Sequence, residues 1–344
     1  MYTEGKGNYL VIEDSDLATL NVLFGGRGLG KTDSILKQRV LNSDADESGQ
    51  SKFIWLRDTG EVVKKIAAGN SLTAPIAAHV KDFPNVTIER SGSNYCFIKD
   101  AKTDNYKILG YLAALSTFHN MRGISYEDVN CITWDEFIPE EGTIIKQHQG
   151  IIFLNMYESV NRNRELEGKP PVQIIFLSNS EDVYSEVLED LGVSSIIEDM
   201  VASNKVKYRD DDMWIEFLSS QKFKEAKANT FIYRINKNDK FKQRALENKF
   251  TNNQALIKRK VNLKGSTGLF TLSHRYTFLQ LADGSIYVKL GDWKGLLDYD
   301  MDNDQEAILY RLLFNDKLRL SYIAGQMFFD SIYTQRRILE ISKI

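Results

Sequence analysis

The sequence predicts an α/β protein in three parts: a mostly parallel sheet with helices over residues 1–200, a small helical linker over 201–253, and an α+β domain over 254–344. Three observations carry this prediction. Short apolar runs alternate with helix-like stretches through the first two hundred residues, the pattern of strands covered on both faces. Near residue 200 the chain turns polar, rich in Lys and Asn, with helical patches and no strong strand. After it come two strand-like runs and a long stretch of helical spacing. A chain of 344 residues accommodates such an arrangement.

Leu20–Phe24, Phe53–Leu56, Asn130–Trp134 and Gln173–Leu177 read as the buried strands. Between the second and third, Val86–Arg90, Tyr95–Lys99 and Lys107–Leu112 are separated by the turn-rich pieces SGSN and KTDN, which reads as an inserted antiparallel meander. In the last part, Gly268–Leu281 and Ser285–Leu290 read as strands joined by LADGS. Over 305–344, Ile308, Leu309, Leu312 and Leu313 recur on one helical face.

No apolar run approaches the roughly 18 residues of a bilayer span, so no membrane association is expected. The acidic N-terminus lacks the core of a signal peptide. Cys96 and Cys131 sit in β-like apolar stretches and read as buried thiols in a reducing compartment. The formal net charge of −3 hides an asymmetry, because residues 222–264 carry 13 Lys and Arg against 3 Asp and Glu. That stretch is interleaved with Phe231, Tyr233, Phe241 and Phe250. A solvated face is the ordinary reading of a charge run; the aromatic interleaving suits a surface facing nucleic acid.

The chemistry is concentrated in two motifs. Gly25-Gly26-Arg27-Gly28-Leu29-Gly30-Lys31-Thr32 matches G-x-x-x-x-G-K-[ST] in full, between a strand and a helix. In such a loop backbone N–H groups cradle phosphate oxygens, helped by the helix N-terminus. Lys31 is expected on the β- and γ-phosphates of ATP and the Thr32 hydroxyl on Mg²⁺. The second motif, Asn130-Cys131-Ile132-Thr133-Trp134-Asp135-Glu136, ends a buried strand in two carboxylates. Asp135 is expected to hold the Mg²⁺ shell and Glu136 to act as the base for the attacking water. This pairing favours the additional-strand, catalytic-glutamate class of P-loop ATPases. Asn179, after the next strand, is a candidate γ-phosphate sensor, with a plain turn as the alternative. Arg162, Arg164 and Arg122 are candidate arginine fingers, with surface ion pairs as the alternative.

The succession G-x-R-G-x-G-K, W-D-E-F, R-N-R-E and L-S-N over residues 19–180 resembles the DNA-packaging ATPases of φ29-like tailed phages, relatives of large terminases. The resemblance implies an N-terminal ATPase domain, a linker and a C-terminal RNase H-like domain. It implies a homo-oligomeric ring, five subunits in this family, that drives double-stranded DNA through the portal (connector) into an empty prohead. A packaging RNA belongs to the docking site in such motors. The protein would act in the cytoplasm of the infected bacterial host, transiently at the portal vertex, and be absent from the mature virion. Carried over, Arg162 falls at the trans-acting finger, Arg122 at a second basic position, and Arg57 in the nucleotide pocket. The basic residue expected just after Arg57 is missing, since the chain runs Arg57-Asp58-Thr59-Gly60.

Terminase nucleases need carboxylates converging on two metal ions, with an Asp within the first strand of the domain. Tyr276–Leu281, read as that strand, has none, while Asp283, Asp292, Asp298 and Asp300 lie in turns or after strands. A vestigial nuclease fold is therefore expected. Two rivals stay open: a terminase-like ATPase with a live nuclease, and a non-motor nucleic-acid-binding component of the vertex. An intact Glu136 argues against the second, because a structural nucleotide site has no need of a water-activating base.

Overall fold

A computed structural model describes residues 3–4, 9–68, 83, 85–92, 94–121, 126–138, 149–179, 183, 185–235 and 256–343. The chain divides into two compact units, residues 1–191 with 199–250, and residues 192–198 with 251–344.

The first unit opens with a short pair, β1 (Thr3–Glu4) against β2 (Leu10–Val11). Its main sheet is formed by β3 (Leu20–Gly25), β4 (Lys52–Arg57), β5 (Val86–Ser91), β6 (Asn94–Lys99), β7 (Lys107–Ala114), β8 (Val129–Asp135), β9 (Gln173–Ser178), β10 (Lys207–Arg209) and β11 (Met213–Leu218). The spatial order is β10-β11-β3-β9-β8-β4-β7-β6-β5. The five pairings from β11 to β7 are parallel and both margins are antiparallel. Helices α1 (Lys31–Ala45), α2 (Gly60–Ala68), α3 (Gln149–Asn161), α4 (Glu186–Asp190), α5 (Ser194–Ala202), α6 (Gln221–Ala228) and α7 (Phe231–Ile235) connect and follow these strands.

The doubly apolar strands are sandwiched. On one face Ile35, Leu36 and Val40 of α1 and Val63 and Ile66 of α2 join Leu23, Phe53, Trp55 and Leu177 in one buried cluster. On the other, Phe153 of α3 stacks on Trp134, with ring centroids 5.5 Å apart, and meets Phe176 at 5.0 Å. Burying strands on both sides removes the alternation that would mark an exposed face, which is why these four were readable as plain apolar runs.

Two features differ from the sequence reading. The meander β5–β7 is continuous with the main sheet, because β7 lies parallel to β4 with Gly110 opposite Phe53. A Cβ at Gly110 would fall 2.7 Å from the Phe53 carbonyl oxygen and 2.9 Å from its ring, so only glycine permits that approach. The stretch 201–253, expected without a strong strand, supplies β11, which pairs with β3 from Met213 opposite Leu20 to Leu218 opposite Gly25. Glu216 hides this strand in the sequence by placing a charge inside its apolar run. Here it is buried, accepting from Trp214 Nε1 at 2.7 Å and pairing with Lys207 at 3.4 Å.

The second unit is a five-stranded sheet of β12 (Thr267–Leu272), β13 (Tyr276–Gln280), β14 (Ile286–Leu290), β15 (Asp298–Tyr299) and β16 (Met327–Phe329), ordered β15-β12-β13-β14-β16. β12 to β14 form an antiparallel meander, and β15 and β16 lie parallel to its outer strands. Gly268–Leu281 is therefore two strands: Ser273 and His274 turn the chain at φ 48° and 51°, without the Gly or Asn that would have announced it. The helical end divides around β16 into α8 (Asp304–Ile323) and α9 (Ile332–Ser342). Ala307, Tyr310 and Leu318 of α8 are buried, whereas Ile308, Leu309, Leu312 and Leu313 are exposed. The stripe read from the sequence thus lies outside this unit's core, because α8 is apolar on more than one side.

Candidate active site

The register of the parallel strands brings their C-terminal ends together. Gly25 lies opposite Leu218, Phe24 opposite Ser178, Leu177 opposite Asp135, and Trp134 opposite Leu56, one residue before Arg57. β9 stands between the strand that leads into the glycine loop and the strand that ends in the two carboxylates. That is the additional strand expected of the catalytic-glutamate class.

The glycine loop turns sharply between β3 and α1. Gly28 and Gly30 adopt φ of 80° and 100°, and a Cβ on Gly30 would sit 3.1 Å from that of Tyr9 and 3.2 Å from the Leu10 carbonyl. Glycine is needed there for both conformation and space. Leu29 is buried, and its carbonyl accepts from Leu10 N at 2.9 Å, tying the loop to β2. Gly26 carries a carbonyl that Leu29 N reaches at 3.3 Å, while Arg27 and Gly28 are exposed.

Lys31 is 6% exposed, and its Nζ donates to the carbonyls of Gly25 at 2.6 Å and Gly26 at 3.2 Å. Burial pushes its ammonium down to about 8, against the opposing pull of Asp135 and Glu136. The Thr32 hydroxyl donates to Asp135 Oδ1 at 3.1 Å. Burial likewise raises the Asp135 carboxyl, opposed first by Arg57. Arg57, at the end of β4, donates through Nη1 to Asp135 Oδ2 at 2.8 Å and through Nη2 to Glu136 Oε2. One guanidinium therefore bridges both carboxylates. Glu136 leaves the strand at φ 55°, a left-handed conformation that costs on the order of 1–3 kcal/mol in a non-glycine residue and concentrates at functional sites.

A hydroxyl and a carboxylate side by side are hard oxygen donors suited to Mg²⁺. Lys31 and the loop amides are suited to phosphate. Asn179 follows β9, half-buried, with its carbonyl accepting from Ser178 Oγ at 3.0 Å. Arg122 lies outside the described residues.

Arg162 follows α3 at φ 46°, with Nη1 3.5 Å from Glu127 Oε1. Arg164 Nη1 donates to the carbonyls of Glu127 and Val129 at 3.3 and 3.0 Å. Both arginines therefore sit where β8 begins, and Asp135 and Glu136 sit where it ends, the length of a seven-residue strand away or about 20 Å. Arg162 does not reach the carboxylates of its own chain.

Sequence reasoning missed the Arg57 bridge to Asp135 and Glu136, which spans separate strands. It also missed contacts of α6 with the glycine loop. Lys227 Nζ donates to the Arg27 carbonyl at 2.5 Å, and Phe223 Cζ lies 3.6 Å from where a Gly28 Cβ would be. Nothing in the basic run marked Lys227 apart from its neighbours. Elsewhere in that run, Lys258 Nζ lies 3.2 Å over the Phe328 ring and Arg259 Nη2 is 3.5 Å from Glu198 Oε2. These two cations are engaged within the second unit.

Of the four aspartates singled out in the second unit, Asp283, Asp298 and Asp300 accept local hydrogen bonds. Asp283 accepts from Ser285 N and Oγ in the β13–β14 turn, and Asp298 from Thr271 Oγ1 at 2.6 Å and His274 N at 2.8 Å. Asp292 lies 3.6 Å from His274 Nδ1, and Asp300 Oδ1 accepts from Asp302 N at 3.0 Å. The first strand of this unit is Thr267–Leu272, not Tyr276–Leu281 as the sequence suggested; it too carries no carboxylate. Among the described residues no helix is long and apolar enough to cross a membrane.

The profile of the family described as podovirus DNA encapsidation protein (Gp16) matches residues 11–293. A DNA packaging protein of Bacillus phage B103 is 25% identical over 259 residues, 74% of this chain and 71% of that protein. Among solved structures, the Phi-28 gp11 DNA packaging motor is similar with a TM-score of 0.60 and 17% identity, covering 95% of both chains. The bacteriophage Phi-29 viral genome packaging motor assembly is similar with a TM-score of 0.59 and 18% identity, covering 97% of this chain and 98% of that one. At such identities these two likenesses establish a common fold.

Proposed function

This chain belongs to the podovirus DNA encapsidation protein (Gp16) family, and on that premise we propose that it is the ATP-hydrolysing subunit of a ring that moves double-stranded DNA into a prohead. The convergence of Lys31, Thr32, Asp135 and Glu136 at the ends of the two parallel strands that flank β9 supports this reading most directly. The loop Gly25–Thr32 binds the phosphates, with Lys31 neutralising their charge. Thr32 and Asp135 hold Mg²⁺, which when bound supplies charge neutralisation at the phosphate oxygens. Glu136 accepts the proton of the attacking water. Arg57 orients the two carboxylates, and Asn179 responds to the terminal phosphate. Arg162, remote from its own site, is suited to completing a neighbour's; Arg122 is a second candidate for that role.

The proposed domains are an ATPase domain that takes in β10 and β11 of the stretch first read as linker, a linker after them, and a C-terminal domain that docks at the portal, with a packaging RNA as a further partner. The C-terminal domain is a vestigial nuclease fold that binds but does not cut, a reading supported by a first strand without a carboxylate and by the local hydrogen bonds of Asp283, Asp298 and Asp300. The protein acts inside the infected host during assembly, in a pentameric ring.

Two variants test the core of this reading. In Glu136→Gln, ATP binding should persist while DNA-stimulated turnover falls by about 10²–10⁴-fold, the usual contribution of a general base. Lys31→Ala should instead lose affinity for ATP. Near wild-type turnover in Glu136→Gln would refute the catalytic assignment.

A further inference from the structure

We propose that Lys227 is a second phosphate-binding lysine, placed by helix α6 to contact the terminal phosphate of ATP. This rests on the nucleotide site proposed above and deepens it.

Lys227 lies in a stretch whose charge alone would assign it to a nucleic-acid surface. Its position assigns it elsewhere. It is half-buried, and its Nζ donates to the carbonyl of Arg27, the third residue of the phosphate loop, 200 positions earlier in the chain. It is close enough to Lys31 for the two ammonium groups to repel each other. Two cations held at one loop repel until a polyanion lies within reach of both, whereupon each gains. A phosphate oxygen is also the stronger acceptor, since charge-assisted hydrogen bonds are roughly twice as strong as those to a neutral carbonyl.

The support behind the lysine is built in. α6 is separated from β11 by two residues and is capped by Ser220 Oγ, which accepts from Phe223 N at 3.1 Å. Lys227 Nζ lies 5.3 Å over the Phe223 ring, and that ring faces Gly28 on one side and stands 6.4 Å from the ring of Tyr9. A Cβ on Gly28 would lie in ordinary van der Waals contact with Phe223, at 3.6 Å, so α6 packs against the glycine loop. β11 itself pairs with β3 up to Gly25, the first residue of the loop. A lysine that binds the terminal phosphate here draws α6 towards the nucleotide, and α6 lies directly on the path from the sheet to the rest of the chain.

The consequence is selective. A residue that only braces the loop serves ATP and ADP alike, whereas one that binds the terminal phosphate serves ATP alone. In the full-length Glu136→Gln protein, where ATP is not consumed, affinities for MgATP and MgADP are measured by titration calorimetry. Adding Lys227→Met should weaken MgATP at least fivefold and leave MgADP within twofold, and Lys227→Arg should restore most of the loss. Equal losses for both nucleotides, or no loss for either, overturn the proposal in favour of a brace or a solvated lysine. A global defect announces itself as lowered thermal stability without nucleotide together with equal losses, and counts as the same refutation. If Glu136→Gln with Lys227 intact binds no ATP, it is the nucleotide site itself that fails, and this inference falls with it.

Discussion

Removing the Arg57 guanidinium takes from the buried Asp135 carboxylate its paired cation and leaves it the Thr32 hydroxyl and the attraction of the Lys31 ammonium. The Arg57 and Asp135 side chains are 13% and 6% exposed, and their contact is 2.8 Å. At an effective dielectric near 20, unit charges about 4 Å apart attract by about 4 kcal/mol. Measured losses on breaking one side of a buried pair run to about 3–5 kcal/mol. The contact with Glu136, whose side chain is 52% exposed, adds little. Arg57→Met should therefore destabilise the ligand-free first unit by about 3 kcal/mol. Arg57→Met with Asp135→Asn, which removes both charges, should return to within about 1 kcal/mol of wild type. Urea unfolding followed by tryptophan fluorescence measures this well, because Trp55 and Trp134 are fully buried on the two strands that carry the pair. The sign of the pH dependence is also determined. In Arg57→Met the native Asp135 carboxyl, already raised by burial, rises further and binds a proton more readily than in the unfolded chain. Stability then improves as pH falls, and the deficit narrows. A deficit under about 1 kcal/mol at neutral pH, or single-variant losses that simply add in the double variant, would refute the reasoning.

Two further outcomes follow from the geometry. Rings assembled from a mixture of Arg162→Ala and Glu136→Gln should recover partial ATP turnover that neither variant shows alone, because some interfaces then pair an intact glutamate with an intact neighbouring arginine; co-assembled rings without recovery would argue that Arg162 does not act across subunits. Glu198, 3% exposed and pushed up to about 7 by burial, binds a proton in the folded protein at pH values where the unfolded chain has released it. Its contribution to stability is complete below about 4.5 and lost as pH rises through 7, so Glu198→Gln should raise the melting temperature at pH 8, by up to about 3 kcal/mol in free energy, and converge with wild type near pH 5; equal melting curves at pH 8 would contradict it.

The four central strands were legible because each is apolar on both faces, and two of them lead into motifs whose chemistry has a single spacing. The loop Gly25–Thr32 and the doublet Asp135-Glu136 needed no three-dimensional information. β11 was not legible, since Glu216 interrupts its apolar pattern and its burial depends on Lys207 and Trp214 nearby. Nor was the hairpin at Ser273 and His274, where tertiary pairing holds a turn that local chemistry does not demand. The Arg57 bridge and the Lys227 contact join residues 78 and 200 positions apart, distances over which one sequence carries no pairwise signal. The apolar periodicity of α8 was correctly seen as helical, but periodicity does not say which of several apolar sides faces the sheet.

The pairing of β11 with β3 also has a mechanical meaning. The chain leaves the sheet from Leu218 towards its C-terminal half, so tension arriving from that direction enters the first unit along the axis of β11. The hydrogen bonds of a parallel pair lie across that axis. A pull along the strand loads the six registered residue pairs together in shear, instead of peeling them one at a time as at a frayed hairpin. β10 covers the other side of the strand, so it cannot detach as a free margin. Strain is thereby delivered to the strand that opens into the glycine loop, and the element that bears the load is the one that shapes the nucleotide site.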